Sequence, residues 1–200
     1  MIFFEKVCYT KDTSVRIDFV LKNIFSYLLR NTYDFNVVNA VNKKEEYILN
    51  YIKRILDICR RSYGLSMKHY LEDMFKNKIT EDDIDSVLLG VANEIFSDGI
   101  TWNRITAFFI FVGELANLCI NDLRLQTTVI DIMYESYSKL VKEKLLTWIE
   151  EHQGWEGILS VTTIEQKHLV TTSGMKTFLH TAIRAIGILS YAANAIKREF

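Results

Sequence analysis

The sequence predicts an all-α fold, a helical bundle around a hydrophobic central helix, on three observations. Apolar residues recur at three- and four-residue spacing almost throughout the 200 residues, without sustained strand-like alternation. Proline is absent and only eight residues are glycine, so long helices can run uninterrupted. Residues 105–120 are apolar on nearly every face. Such a helix is either a bundle centre or a membrane span, and this one is shorter than the roughly 20 apolar residues that a span needs.

Periodicity and turn signals divide the chain into helices. We predict helices over residues 14–31, 43–63, 65–76, 80–96, 105–120 and 123–146, a shorter helix-turn element over 148–159, and a last helix over 174–198. Gly64 separates the second helix from the third, because glycine often follows a last helical turn. Thr80 and the acidic residues after it are typical of a helix N-terminus. Residues 1–173 are expected to form the helical domain, and residues 174–200 a C-terminal amphipathic helix or membrane-anchor tail.

Composition and residue spacing argue against several classes of function. Lys and Arg total 24 against 25 Asp and Glu, a net charge of -1, so no basic field exists to attract nucleic acid. Cys8, Cys59 and Cys119 are few and far apart, which indicates a reducing compartment rather than a disulfide framework. No metal-ligand spacing, glycine-rich phosphate loop or nucleophile motif is visible. We therefore expect no metal, no cofactor and no enzymatic activity.

Two motifs carry a resemblance to a known family. Residues 94–111 read EIFSDGITWNRITAFFIF, and residues 148–155 read WIEEHQGW. The first resembles the pattern E-L-F-x-D-G-x-N-W-G-R-I-x-A-F-F of homology region 1 in the Bcl-2 family, and the second resembles W-I-x-x-x-G-G-W of region 2. Both stand in the family's order and at its usual separation. The structural residues of the two motifs are Gly99, Trp102, Trp148, Gly154 and Trp155.

The resemblance implies a surface groove that receives the amphipathic BH3 helix of a pro-apoptotic relative. In the family the region 1 arginine pairs with an Asp of that helix, and Arg104 occupies its position. The residues alone leave a surface ion pair with Glu94 or Asp98 as the alternative. The groove implied for this chain comprises Tyr63, Met67, Leu71, Met74, Val91, Ile95, Asp98, Thr101, Asn103, Arg104, Ala107 and Phe111. For the apolar members of this set, core packing is the alternative.

The chain departs from the family pattern at four positions. Asn103 replaces the usual Gly and Thr101 the usual Asn, so we expect a changed partner range. The chain's own BH3-like stretch, residues 56–63, has Arg60 and Arg61 where the family has Gly and Asp. A large residue and a wrong charge there predict a poor ligand for a relative's groove. Such degenerate motifs resemble those of viral survival proteins of the family, and we expect a poxvirus-like homologue.

The predicted last helix has a polar stripe opposite an apolar face. Arg184 belongs to that stripe, and a charge at membrane mid-depth costs at least about 2.5 kcal/mol. We expect this helix to lie at a membrane interface or on the bundle, with a true anchor as the alternative. The expected locations are the cytoplasm of the host cell and the mitochondrial outer membrane.

The resemblance as a whole implies an anti-apoptotic protein that sequesters BH3 helices and so inhibits mitochondrial apoptosis of the host cell. Two alternatives remain open at this point. One is a pore-forming pro-apoptotic relative, which would need a working BH3 segment of its own. The other is a Bcl-2-fold inhibitor of host immune signalling, which would fold normally without binding BH3 helices.

Overall fold

Six α-helices account for most of the residues that the computed structural model describes, namely 15–29, 35, 37–75 and 79–160, without the side chains of 62, 63 and 74. They are α1 (Ile17–Leu28), α2 (Lys43–Phe75), α3 (Ile84–Ile95), α4 (Trp102–Asn117), α5 (Thr128–Leu140) and α6 (Leu146–Glu151). Short 3-10 turns cover Glu81–Asp83 and Gly154–Ser160, and π-helical turns cover Leu118–Asp122 and Val141–Leu145. No strand occurs within these ranges, and the all-α prediction is confirmed. The predicted last helix lies outside the described residues.

Helix α4 is the centre of the bundle, as predicted. It contacts α1, α2, α3 and α5, and nearly all of its side chains are buried. Together with the π-helical turn after it, the helix Trp102–Asp122 is long and apolar enough to cross a membrane by length and composition. However, 83% of its most apolar window is buried inside the protein. Burial of this kind is typical of the central helix of a bundle.

The predicted break at Gly64 is wrong, because α2 runs through it as one helix of 33 residues. A Cβ atom at Gly64 would lie 3.0 Å from Arg60 Cγ and 3.6 Å from Glu114 Oε1. The glycine therefore leaves room for the Arg60 side chain of the same helix, which turns toward Glu114 on α4, and it does not end the helix. Its helix propensity is about 1 kcal/mol poorer than that of alanine, which the packing of a long apolar face offsets.

The predicted helix over residues 123–146 begins too early and is interrupted. Residues 123–127 are not helical, since Arg124 has a left-handed φ of 52° and the backbone N–H of Leu125 donates to Cys119 O at 2.9 Å. Helix α5 starts only at Thr128. The predicted element over 148–159 consists of the end of α6, a turn with positive φ at Gln153 and Gly154, and the second 3-10 turn.

Polar contacts fix the beginnings of three helices. The Asp83 carboxylate accepts hydrogen bonds from the backbone N–H and the hydroxyl of Thr80 at 2.9 and 2.7 Å, so the predicted cap before α3 is confirmed. Arg16, just before α1, makes two hydrogen bonds of 2.8 and 2.9 Å to the buried carboxylate of Glu45 in the first turn of α2. That carboxylate also accepts from the backbone N–H of Val41 at 2.9 Å, which ties the α1–α2 connection to both helices.

Candidate ligand groove and its arginine

Arg104 lies in the first turn of α4 with its charged end at the surface. Thr101 caps the helix, its hydroxyl oxygen accepting from the Arg104 backbone N–H at 3.3 Å. Gly99 has a φ of 106°, which allows the chain to turn between α3 and α4. The guanidinium donates from Nη1 to Gly99 O at 2.6 Å and from Nη2 to Asp98 Oδ2 at 3.2 Å. The side chain of Arg104 is 30% exposed and that of Asp98 is 81% exposed, so the ion pair considered from the residues alone is present.

The apolar residues of the predicted groove lie on α2, α3 and α4. Both α2 and α3 contact α4, and α3 also contacts α5. Arg104, Ala107 and Phe111 follow one another at spacings of three and four residues, which places them on one face of α4. This face leads from the exposed guanidinium into the interior of the bundle.

The same apolar residues are buried in the described structure. None of them is more than 3% exposed: Met67, Leu71, Val91, Ile95, Ala107 and Phe111. All except Ala107 belong to the continuous hydrophobic core. The predicted Tyr63 and Met74 have side chains outside the described part of the chain. A helix that bound here would therefore have to expose side chains that this state of the protein keeps in the core.

Thr101 and Asn103, two of the departures from the family pattern, line a neighbouring cleft. This cleft has a volume of about 480 Å³ and lies between the start of α4 and the end of α6. It is further lined by Trp102, Trp148, Glu151, His152, Gln153, Gly157 and Ser160. Asn103 thus contributes to the α6 side of the first turn of α4, and Arg104 to the side of the α3–α4 connection.

The tryptophans of the two motifs pack together and join the first turn of α4 to α6. The ring of Trp102 lies 5.4 Å from that of Trp148, edge to face, and 6.1 Å from that of Trp155. Gly157, which the sequence analysis did not single out, permits this contact. A Cβ atom there would lie 2.0 Å from the backbone oxygen of His152 and 3.0 Å from Trp102 Nε1. The motif residues thus hold the start of α4 in place.

A buried ion pair between α2 and α4 was not predicted. Arg60 Nε lies 2.9 Å from Glu114 Oε1, with side-chain exposures of 14% and 2%. Arg60 Nη2 also donates to Leu28 O at 2.6 Å, and the amide of Asn117 donates to the same oxygen at 2.9 Å. Glu114 interrupts an otherwise apolar helix, and a buried carboxylate needs a partner. That signal was available in the sequence, but it did not identify the partner.

The close approach of α1 to α4 depends on Gly113, which precedes Glu114. A Cβ atom at Gly113 would lie 2.7 Å from Leu28 Cβ. This contact places Leu28 O near the C-terminal end of α4, where Arg60 and Asn117 donate hydrogen bonds to it. The polar contacts of these residues therefore connect α1, α2 and α4 inside the bundle.

The two described cysteines have the environment of inert thiols. Burial raises the pKa of Cys59 to about 11 and that of Cys119 to about 12, so both are protonated at neutral pH. Within the described ranges, no three or more His, Cys, Asp or Glu side chains are arranged to hold a metal ion. The predicted groove residues in this part of the chain supply apolar side chains and the charge of Arg104.

The fold and its motifs correspond to a known class of regulator. The family model described as "Apoptosis regulator proteins, Bcl-2 family" matches residues 52–155, just over half of the chain. The chain belongs to the Bcl-2 family, and the predicted family resemblance is confirmed.

Curated relatives include proteins of animals and of a virus. The apoptosis regulator BAX of Mus musculus is 32% identical over 111 residues, which is 52% of this chain and 55% of BAX. The apoptosis regulator Bcl-2 homolog of African swine fever virus (isolate Tick/South Africa/Pretoriuskop Pr4/1996) is 28% identical over 136 residues, 62% of this chain and 73% of the viral protein. The chain thus matches about half the length of BAX and nearly three quarters of the viral relative.

Solved structures of the same fold include two complexes, one with a Bak BH3 segment and one with Bak-2. Trichoplax adhaerens trBcl-2L2 bound to trBak BH3 has a TM-score of 0.58 at 24% identity, covering 72% of this chain and 98% of that one. Geodia cydonium BHP2 in complex with Lubomirskia baicalensis Bak-2 has a TM-score of 0.59 at 18% identity, covering 80% and 98%. Chicken BOK has a TM-score of 0.58 at 18% identity, covering 73% and 93%. These similarities establish the fold.

Proposed function

We propose that this chain is an anti-apoptotic Bcl-2 protein that captures the BH3 helix of a pro-apoptotic relative between α2, α3 and α4. The observation that carries the proposal is the position of Arg104. Its guanidinium reaches the surface at the start of the central helix, on the face that continues to Ala107 and Phe111. A cation at the edge of an apolar surface suits an amphipathic helix that presents a carboxylate beside apolar anchors. The Bak-bound relatives of the same fold support this ligand class.

The contacts of the chain's own BH3-like segment support the protective role. Arg60 occupies the position of the family's Gly and is paired with Glu114 inside the bundle. Asp57, three residues earlier, accepts a hydrogen bond from the hydroxyl of Tyr27 on α1. To act as a ligand, this segment would have to break both contacts and bring the Arg60 charge into an apolar groove, which is energetically unfavourable.

A pore-forming pro-apoptotic role is the second candidate, because the similarity to BAX and BOK favours it. It requires that the segment from α2 bind a survival relative. A peptide of residues 52–70 distinguishes the two roles when it is titrated into such a relative. The protective role predicts no measurable binding, whereas submicromolar binding would favour the pore-forming role.

A viral source and a mitochondrial site of action are further parts of the proposal. Similarity to the African swine fever virus homologue over 62% of the chain supports a virus that protects its host cell. The protein would then act in the host cytoplasm and at the mitochondrial outer membrane. Contact with that membrane is assigned to residues 174–200, on the amphipathic pattern of their sequence alone.

The direct test is a calorimetric titration of the full chain with a Bak BH3 peptide. Arg104→Ala should weaken binding by about 2 kcal/mol, roughly thirty-fold, because the carboxylate of the peptide loses its partner. Arg54→Ala, which removes an exposed arginine from α2, is the matched control and should leave affinity unchanged. Circular dichroism verifies that each variant is folded.

Two further titrations locate the groove. Ala107→Arg places a large charge at a buried position of the α4 face and should abolish binding; the variant must first be shown to fold. A peptide with its Asp changed to Asn tests the Arg104 pair without altering the protein, and should bind as weakly as the wild-type peptide binds Arg104→Ala. Absence of binding by the folded wild-type protein would contradict the proposed function.

A further inference from the structure

Two of the five N–H donors of the Arg104 guanidinium are bonded to acceptors of its own chain. Nη1 donates to the backbone oxygen of Gly99 at 2.6 Å, and Nη2 donates to the carboxylate of Asp98 at 3.2 Å. A carboxylate bound to arginine usually takes two parallel N–H donors. Here one η nitrogen donates to a backbone oxygen, and the other donates to a carboxylate of the kind that a ligand would present.

We infer that Asp98 is an internal competitor that holds Arg104 in the absence of a ligand and is displaced when a carboxylate-bearing helix binds. The inference rests on the proposed function and assigns Asp98 a role opposite to that of a ligand contact. Two carboxylates beside one guanidinium repel each other, so the ligand carboxylate and Asp98 do not share Nη2 without loss. Release of one carboxylate removes this repulsion.

The position of Asp98 makes it the group that leaves. Its side chain is 81% exposed and lies in the connection between α3 and α4, so it can turn into solvent without breaking core contacts. The Gly99 oxygen has no such freedom, since it belongs to the backbone of the turn that leads into α4. The Nη1 bond therefore stays and orients the guanidinium, while Nη2 changes partner from Asp98 to the ligand.

This exchange determines how much affinity the carboxylate of the ligand contributes. A helix without a carboxylate leaves the Arg104–Asp98 pair intact, so its affinity does not depend on that pair. A helix with a carboxylate has to displace Asp98 first. Because a pair this exposed is weak, its removal should tighten binding of a carboxylate-bearing helix by about two- to five-fold.

The test is a titration of the full chain and its Asp98→Asn variant with the Bak BH3 peptide and with its Asp→Asn form. Glu94→Gln is the matched control, because it removes one negative charge at the end of α3. The guanidinium of Arg104 keeps its bonds to Asp98 and Gly99 in this variant. Arg104→Ala and the double variant Arg104→Ala/Asp98→Asn complete a thermodynamic cycle.

The inference expects Asp98→Asn to bind the Bak peptide about two- to five-fold more tightly, with no gain for the Asp→Asn peptide. It also expects no change with Glu94→Gln, and no gain from Asp98→Asn when Arg104 is already Ala. Equal or weaker binding by Asp98→Asn would overturn the inference and leave the proposed function standing. An equal gain from Glu94→Gln would attribute the effect to net charge and overturn it too. Failure of every folded variant to bind the peptide would overturn the inference together with the proposed function.

Discussion

Removing the carboxylate of Glu114 should destabilise the protein far more than removing an exposed one. Glu114→Gln leaves the charge of Arg60 without its opposing charge at a place where the two side chains are 2% and 14% exposed. Breaking a buried ion pair by changing one partner typically costs about 3–5 kcal/mol. Arg60 retains its bond to Leu28 O at 2.6 Å, so we expect the lower end, about 3 kcal/mol.

The assay is urea unfolding followed by circular dichroism at neutral pH, with the free energy of unfolding extrapolated to water. Arg60→Met should also destabilise the protein, because it removes the guanidinium that lies 2.9 Å from the buried Glu114 carboxylate. The double variant should lose at least about 1 kcal/mol less than the sum of the two single losses, since it removes both charges. The control is the pair Lys68–Glu72, which has the same charges at 43% and 35% exposure on α2. Glu72→Gln should cost less than about 0.5 kcal/mol.

Two results would refute this reasoning. The first is strict additivity of the Arg60 and Glu114 variants, which would mean that the two side chains do not depend on each other. The second is a loss for Glu114→Gln no larger than that for Glu72→Gln, which would mean that burial does not strengthen the pair. In either case the Arg60–Glu114 ion pair would not restrain the BH3-like segment.

Three further predictions concern pH, an unsatisfied hydroxyl and the thiols. Hydrogen bonds from Arg16 lower the pKa of Glu45 from 4.5 to about 2, so its stabilisation is complete above about pH 5 and is lost as the pH falls toward 2. Because solvent screens the exposed Arg16, Glu45→Gln should lower the free energy of unfolding by about 1–2 kcal/mol at pH 7 and leave it unchanged near pH 2. Urea unfolding at both pH values measures this difference. Tyr137→Phe should raise the free energy of unfolding by about 1 kcal/mol, because the buried hydroxyl has no hydrogen-bond partner among the described residues; a loss of 1 kcal/mol would show a hidden partner. Mass spectrometry should find Cys59 and Cys119 alkylated by iodoacetamide only in urea, and rapid labelling of the native protein would contradict their burial.

The sequence predicted the helical fold, its central helix and the family, because these depend on local periodicity and short motifs. The motif of residues 94–111 was sufficient to place Arg104 near the start of the central helix, but the predicted start at residue 105 was three residues late and the cap at Thr101 was not predicted. The structural role of Trp102 and Trp155 was also predicted from their motif positions, since bulky aromatic residues at helix ends commonly pack together.

Features that depend on distant segments could not be read from the sequence. Gly64 resembles a helix end in the sequence, and the reason for a glycine inside a continuous helix is the Arg60 side chain beside it, which pairs with Glu114, 50 positions after Gly64. Arg124 adopts a left-handed conformation although it is neither glycine nor asparagine, the residues that most often do so, and its identity therefore did not predict the turn. The burial of the predicted groove residues is a property of packing, because Leu71 or Val91 would be apolar in either a buried or an exposed arrangement.

The unbroken course of α2 has a mechanical consequence. At 1.5 Å per residue its 33 residues extend over about 50 Å, with Glu45 anchored near one end and Leu71 near the other. A helix without a flexible joint transmits a tilt along its whole length. On the proposed function, widening the space beside Leu71 for a ligand would tilt α2 and strain the attachment of Glu45, roughly 40 Å away along the helix. Binding of a ligand near one end of α2 would then strain the hydrogen bonds at its other end.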